Sequence, residues 1–206
     1  MSTPDKQPTF SVITAVCDQA QELAANLPAL LTQQYEGYEV IVVDESSTDE
    51  SADTLKQLKA DHKHLYTTFL PKYQFQKNRR RLAFTIGVKA AKNEWVVLTD
   101  VTTTPPSDQW LAELSEFCCA TEVLLLGYVN KKSGDVRLRP YDDIHQVRQI
   151  VSKAERWKAG IGRDRWMRFF KKSTYYDFIA VRATHAHDLL RLFALDPSMR
   201  AAYKER

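Results

Sequence analysis

The chain predicts an α/β domain, a mostly parallel sheet flanked by helices, on three observations. Short apolar runs alternate with amphipathic stretches through the first half, the order in which strands and crossover helices build a parallel sheet. The run Glu39–Val43 is nearly continuous in Val and Ile, as a strand covered on both faces is. Cys17-Asp18, Asp44-Glu45 and Asp100 each stand at the carboxyl end of such a run, where open α/β sheets bind their ligands. A length of 206 residues allows one ordinary domain plus an appendage, and 44% hydrophobic against 27% charged residues is enough to bury a core.

Phe10–Val16 (F-S-V-I-T-A-V) reads as a β-branched strand. Leu23, Leu27, Leu30 and Leu31 fall at i, i+4, i+7 and i+8, so the stretch from about Gln21 to Gln34 presents one apolar helical face, with Pro28 expected to kink it. Glu39–Val43 is the second strand and ends in the polar turn Asp44-Glu45-Ser46-Ser47-Thr48-Asp49. Ala52, Leu55 and Leu58 open the next helical face, with Asp49 as a candidate cap. Residues 61–77 read as a loose connection. Ala83, Ile86, Gly87 and Ala90 predict a helix whose small residues let it lie close on the sheet. Trp95–Thr99 is the strand after it, and Val123–Tyr128 reads as a further one.

No apolar run approaches the roughly 18 to 20 residues of a membrane-spanning helix, and Met1–Pro8 lacks the apolar stretch of a secretory signal, so the expected location is cytoplasmic. Cys17, Cys118 and Cys119 fit neither a disulfide framework nor a zinc site and read as reduced core thiols. The net charge of +3 conceals a split: residues 151–206 carry 13 Lys/Arg against 6 Asp/Glu, which leaves the first 150 residues at −4. We therefore expect a ligand-binding domain over residues 1–128 and a basic C-terminal segment over 129–206. Within that segment Trp157, Arg165-Trp166-Met167-Arg168-Phe169-Phe170-Lys171-Lys172, Tyr175, Tyr176 and Phe178 mix rings with cations. Such a mixture suits peripheral contact with an anionic membrane face, or aromatic packing on the sheet.

Asp44 and Asp100 are distant in sequence, yet neighbouring parallel strands would bring both to one rim. Carboxylates there suit ribose hydroxyls, base N–H groups or a divalent cation; the other reading is that they cap the helices that follow. The run Lys77-Asn78-Arg79-Arg80-Arg81 at a helix start suits phosphate oxygens, or is a solvated basic face. Nucleic acid is not an expected partner, since the acidic rim would repel its phosphates.

Several segments together resemble the inverting glycosyltransferases of family two, whose GT-A fold is a Rossmann-related nucleotide-sugar-binding sheet. Ser11-Val12-Ile13-Thr14-Ala15-Val16-Cys17-Asp18 is similar to the opening S-V-I-x-P-V-Y-N strand, and Ile41-Val42-Val43-Asp44-Glu45-Ser46-Ser47-Thr48-Asp49 to I-V-V-D-D-G-S-T-D. Arg80–Lys92 resembles the K-x-x-A-L-x-x-G-I-x-x-A helix, Trp95–Asp100 the strand into the D-x-D motif, and Pro105–Leu111 the P-x-x-x-W-L continuation.

The resemblance implies a transferase moving a sugar, with inversion, from a nucleotide-sugar such as UDP- or GDP-sugar to the hydroxyl of a saccharide or lipid-linked acceptor. It implies donor binding by Thr14 and Val16 through backbone atoms, by Asp44 at the base, by Arg80 or Arg81 near the base or diphosphate, and by Asp100 at the ribose and metal region. The implied cofactor is a divalent metal, Mn²⁺ or Mg²⁺. Where the family has D-x-D this chain has Asp100-Val101-Thr102, and a threonine hydroxyl is a poor substitute for an anionic ligand. A degenerate member that keeps the donor pocket and has lost transfer, serving as a partner subunit, is the alternative. Gly160-Ile161-Gly162-Arg163-Asp164 resembles a G-x-G-R-N segment, and Thr184–Leu190 stands where the family places its acidic acceptor-side run, with Asp188 as the implied catalytic base. His185 and His187 would chelate a metal if they lay on a strand, which makes His187 a candidate metal ligand, or would supply a base near neutral pH; otherwise they are surface or packing histidines.

Overall fold

The computed structural model describes residues 7–71, 79–129, 136–144 and 178–195. In chain order these form β1 (Phe10–Val16), α1 (Ala20–Leu31), β2 (Tyr38–Asp44), α2 (Ser51–Asp61), β3 (Leu65–Phe69) and α3 (Arg79–Ala90). There follow β4 (Trp95–Thr99), α4 (Trp110–Cys119), β5 (Leu124–Val129), β6 (Val136–Tyr141), β7 (Phe178–Arg182) and α5 (Ala183–Leu195). Lys77, Asn78, Trp157, Gly160–Asp164, Arg165–Lys172, Tyr175 and Tyr176 lie outside the described residues.

The strands make one seven-stranded sheet in the order β3-β2-β1-β4-β7-β5-β6. β3, β2, β1 and β4 run parallel, and β7 is antiparallel to both β4 and β5. The sheet therefore holds chain from both sides of the expected 128/129 boundary, with β7 inserted between β4 and β5. Residues 65–69, read as part of a loose connection, are instead the edge strand β3. Its sequence, L-Y-T-T-F, buries only Leu65, so it carries little of the apolar signature that marks a central strand.

Both faces of the sheet are covered. Leu23, Leu27, Leu30 and Leu31 of α1, Leu55 of α2 and Trp110, Leu111 and Leu114 of α4 pack with Val12, Val16, Val40, Val42 and Trp95. On the other face Ala83, Phe84 and Val88 of α3 and Ala186, Leu189 and Leu190 of α5 pack with Ile13, Ala15, Ile41, Val43, Val96 and Leu98. The alternation along β1 assigns Val12 and Val16 to one layer and Ile13 and Ala15 to the other, as a pleated strand requires. α1 runs through Pro28 as one helix rather than ending there, with the Thr32 hydroxyl donating to the Pro28 carbonyl.

Two glycines permit close approach. A Cβ on Gly87 would lie 2.4 Å from Ile13 Cγ2, so the small-residue face of α3 does set its distance from β1. A Cβ on Gly127 would lie 2.0 Å from Phe178 Cζ, and the Phe178 ring fills that place while meeting Trp110 edge-on at 4.9 Å. Of the cysteines, only Cys118 is a core thiol; burial pushes its pKa far up, whereas Cys17 and Cys119 are exposed.

Asp49 joins the starts of two helices. One carboxylate oxygen accepts from Ser51 N at 3.0 Å, at the start of α2, and the other from Ala20 N at 2.8 Å, at the start of α1. Desolvation works against its charge, yet the hydrogen bonds from Ser51 and from the Ala20 amide outweigh it and hold the carboxyl below its usual range. The stability from Asp49 is present above the ordinary carboxylate pKa and is lost as pH falls through the depressed one.

Urea denaturation of Asp49→Ala should therefore show a loss of about 1–2 kcal/mol at neutral pH, the size of a lost helix cap, with the gap to the parent closing in acid. Gly87→Ala should lose about 1–3 kcal/mol, because the added methyl meets Ile13 near its branch point.

Candidate functional site

Parallel pairing builds the rim. Val16 pairs with Asp44, and Ile13 with Leu98, so the carboxyl ends of β2, β1 and β4 lie side by side with Asp44 and Asp100 at the two outer ends. The two acids reach one rim, as expected, but not as neighbours: β1 stands between them. At the usual strand spacing this separates their backbones by roughly 10 Å.

Arg80, the second residue of α3, spans the gap. Its Nη2 donates to Asp100 Oδ2 at 2.8 Å and its Nη1 to Glu45 Oε1 at 3.2 Å. The guanidinium also lies 5.7 Å from the centre of the Phe84 ring, one helical turn along α3. Side-chain exposure is 21% for Arg80, 7% for Glu45 and 11% for Asp100, so the ion pairs are shielded from solvent screening. Burial raises the Glu45 pKa, and Arg80 opposes that rise without cancelling it. Removing the guanidinium would strand both acids, at a cost of about 3 kcal/mol.

The rim loops are held by their own side chains. Asp44 Oδ1 accepts from Ser47 N at 2.8 Å and from the Ser47 hydroxyl at 2.6 Å, which fixes the carboxylate's direction. Asp18 Oδ1 accepts from Thr48 N at 2.6 Å, and Ser47 Oγ accepts from Asp18 N at 3.0 Å, so the loops after β1 and β2 clasp each other. Asp18 and Ser46 have positive φ, 51° and 66°. They stand where the family pattern has Asn and Gly, residue types that adopt left-handed backbone more readily. The Ser46 hydroxyl donates to the Leu70 carbonyl and accepts from Arg79 Nη2, contacts that a glycine could not make.

Several expected site residues thus come together and others do not. Asp44, Asp100 and Arg80 meet at the rim. Thr14 and Val16 are wholly buried, and the Val16 carbonyl already accepts from Glu45 N at 2.8 Å, so they support the rim from beneath. Arg81 is turned about 100° round α3 from Arg80, and it is Arg80 and Arg79 that bond to the rim. β7 descends from Phe178 opposite Thr99 to Arg182 opposite Trp95, so α5 starts at the end of the sheet away from the rim. His185, His187 and Asp188 lie in its first two turns, and His187 and Asp188 are exposed. Because these residues are helical, His185 and His187 project about 200° apart and cannot act as the chelating pair a strand would make. Glu45 and Arg79 are rim residues outside the expected set; the acidic pair Asp44-Glu45 and the arginine run were the signals for them.

The donor set at Asp100 does not fit a divalent metal. Oδ1 accepts from both Thr102 N, at 2.8 Å, and Thr102 Oγ1, at 2.7 Å, while Oδ2 is held by Arg80. Thr102 thus donates into the carboxylate, whereas a hard cation needs several oxygen donors turned toward itself. Among the described residues no cluster of three or more His, Cys, Asp or Glu side chains is arranged to hold a metal, and no helix is long and apolar enough to cross a membrane.

Comparison with solved structures places the chain beside a mannosyltransferase, PcManGT from Pyrobaculum calidifontis, in complex with GDP-Man and Mn²⁺: TM-score 0.59 and 18% identity over 90% of this chain and 47% of that one. TarS 1-349 from S. aureus gives a TM-score of 0.56 at 16% identity, over 87% and 48% of the two chains, and a complex of TarS 1-349 with UDP-GlcNAc gives 0.56 at 17% identity, over 87% and 47%. The chain spans about half the length of these structures, and the likeness shows the GT-A fold. A search of curated protein sequences finds no match. The family model for glycosyl transferase family 2 matches residues 11–187, and with this rim and this sheet order the chain belongs to that family.

Proposed function

We propose that this chain is the donor-binding part of an inverting glycosyltransferase that takes a sugar from a nucleoside-diphosphate sugar. The observation that carries the reading is the rim itself: Asp44 directed by Ser47, Asp100 directed by Thr102, and the Arg80 guanidinium held between Asp100 and Glu45. Each group matches one part of such a donor. A carboxylate at Asp44 accepts N–H groups of the base, and one at Asp100 accepts ribose hydroxyls. Arg80 offers a planar fork of N–H donors to the diphosphate, which gathers negative charge as it leaves the anomeric carbon. Family membership supports this, as do the GDP-Man and UDP-GlcNAc complexes among the similar structures.

A degenerate donor-binding subunit is the second reading, and the observation that favours it is Thr102, whose hydroxyl is engaged with Asp100. The two share the donor site and differ in turnover. Sugar transfer from a bound donor to any of a panel of acceptors supports the enzyme; donor binding with hydrolysis and transfer both absent supports the subunit.

The direct test of the donor site is a thermal-shift series with UDP-, GDP-, CMP- and dTDP-sugars. A donor at about 100 times its Kd should raise the melting temperature by roughly 5 °C or more, and no shift with any of them overturns the proposal. Asp44→Ala and Asp100→Ala should each abolish most of that shift.

Glu45 adds a pH signature in the ligand-free protein. Its folded pKa is raised, so its contribution to stability is complete below the ordinary carboxylate value and is lost as pH rises through the raised one. Melting temperature should fall with rising pH across that window, and Glu45→Gln should flatten the dependence.

A further inference from the structure

We propose that Arg80 is the resident cation of the donor site, so that the chain binds a nucleoside diphosphate without a divalent metal. The inference rests on the donor-site reading above and goes beyond it by naming what neutralises the diphosphate.

The argument begins with how Asp100 is committed. A metal ion ligated by Oδ2 would share that oxygen with a guanidinium nitrogen at 2.8 Å, placing two positive charges on one atom. One ligated by Oδ1 would have to break the bonds from the Thr102 amide and hydroxyl, at 2.8 and 2.7 Å. Either way the ion would sit beside a positive side chain anchored from the opposite direction by Glu45. Its neighbour Arg79 adds further positive charge, donating from Nη2 to the Glu45 carbonyl and, at 3.1 Å, to Ser46 Oγ. Two cationic side chains therefore stand where the rim is most acidic, and the charge a divalent ion would bring is already supplied.

An arriving diphosphate meets the opposite situation. Two of the five guanidinium N–H groups of Arg80 serve Glu45 and Asp100, and the rigid fork can present others to phosphate oxygens from the same position. Arg80 also lies in the first turn of a twelve-residue helix, whose amino end favours an anion beside it. Threonine at position 102 is consistent with this arrangement: its amide and hydroxyl hold Asp100 in the orientation that meets Arg80.

The test is calorimetric titration of UDP and GDP into the full chain, in EDTA and in Mn²⁺, with Mn²⁺ alone as a further arm. We expect the better nucleotide to bind with affinities that agree within about threefold in the two buffers, and Mn²⁺ alone to give no saturable heat at micromolar concentration. In EDTA, Arg80→Lys, which keeps the charge and loses the fork, should weaken binding by about fivefold, and Arg80→Ala by at least about tenfold. Circular dichroism of each variant checks that the fold persists; since Arg80→Ala strands two acids, Arg80→Lys decides the matter if the alanine variant unfolds. Binding that weakens more than about tenfold in EDTA overturns the inference and leaves the donor site standing. Unchanged affinity in a folded Arg80→Lys protein overturns it as well. No binding of either nucleotide in either buffer overturns the inference together with the donor-site reading.

Discussion

One guanidinium shared by two carboxylates organises the working end of this protein. Asp100 follows β4 and Glu45 follows β2, and β1 lies between those strands, so no backbone hydrogen bond links the two acids. Arg80 links them from α3. Two like charges facing a largely buried rim are tolerable because a cation stands between them, and burial still raises the Glu45 pKa against the opposing pull of Arg80. A rim poised in this way is suited to an anionic ligand that can share the cation.

The rest of the architecture delivers Arg80 to that place. α3 reaches the sheet closely because Gly87 sits over Ile13, where any Cβ would collide, and Phe84 packs beneath the guanidinium from the next turn. The acids are aimed by residues a few positions along their own loops, Ser47 for Asp44 and Thr102 for Asp100. The Asp44 loop is in turn locked by the clasp of Asp18 with Thr48 and by Asp49, which holds Ala20 and Ser51, and the Asp100 loop by Asn26, whose Nδ2 donates to the Val101 carbonyl at 3.0 Å. Left-handed backbone at Asp18 and Ser46 costs about 1 kcal/mol at each, and the bonds their side chains make offset it.

Much of this was legible because it is local. Leucines at helical spacing marked α1, the run E-V-I-V-V marked β2, and the small residues Ala83 and Gly87 marked the inner face of α3. β3 was not legible, since an edge strand covered on one side only shows no continuous apolar run. The histidines of α5 were left between a strand and a helix for a related reason: H-x-H fits either, and burial of Ala186, Leu189 and Leu190 selects the helix. Thr14 and Val16 were expected at the pocket through backbone atoms, as the family resemblance implies, and their side chains are buried.

The sequence by itself determined the α/β class, the parallel direction of the first strands, the pair Asp44 and Asp100 at their carboxyl ends and the family resemblance, because periodicity and strand-end chemistry are properties of contiguous residues. Only the tertiary structure decided that β7 runs antiparallel beside β4, where Thr99 pairs with Phe178, and that Arg80 rather than Arg81 closes the rim. Strand pairing across that span, and the choice between arginines a hundred degrees apart on one helix, depend on how whole elements dock. Docking is set by long-range contacts such as Gly87 on Ile13, and no short window of sequence contains both partners.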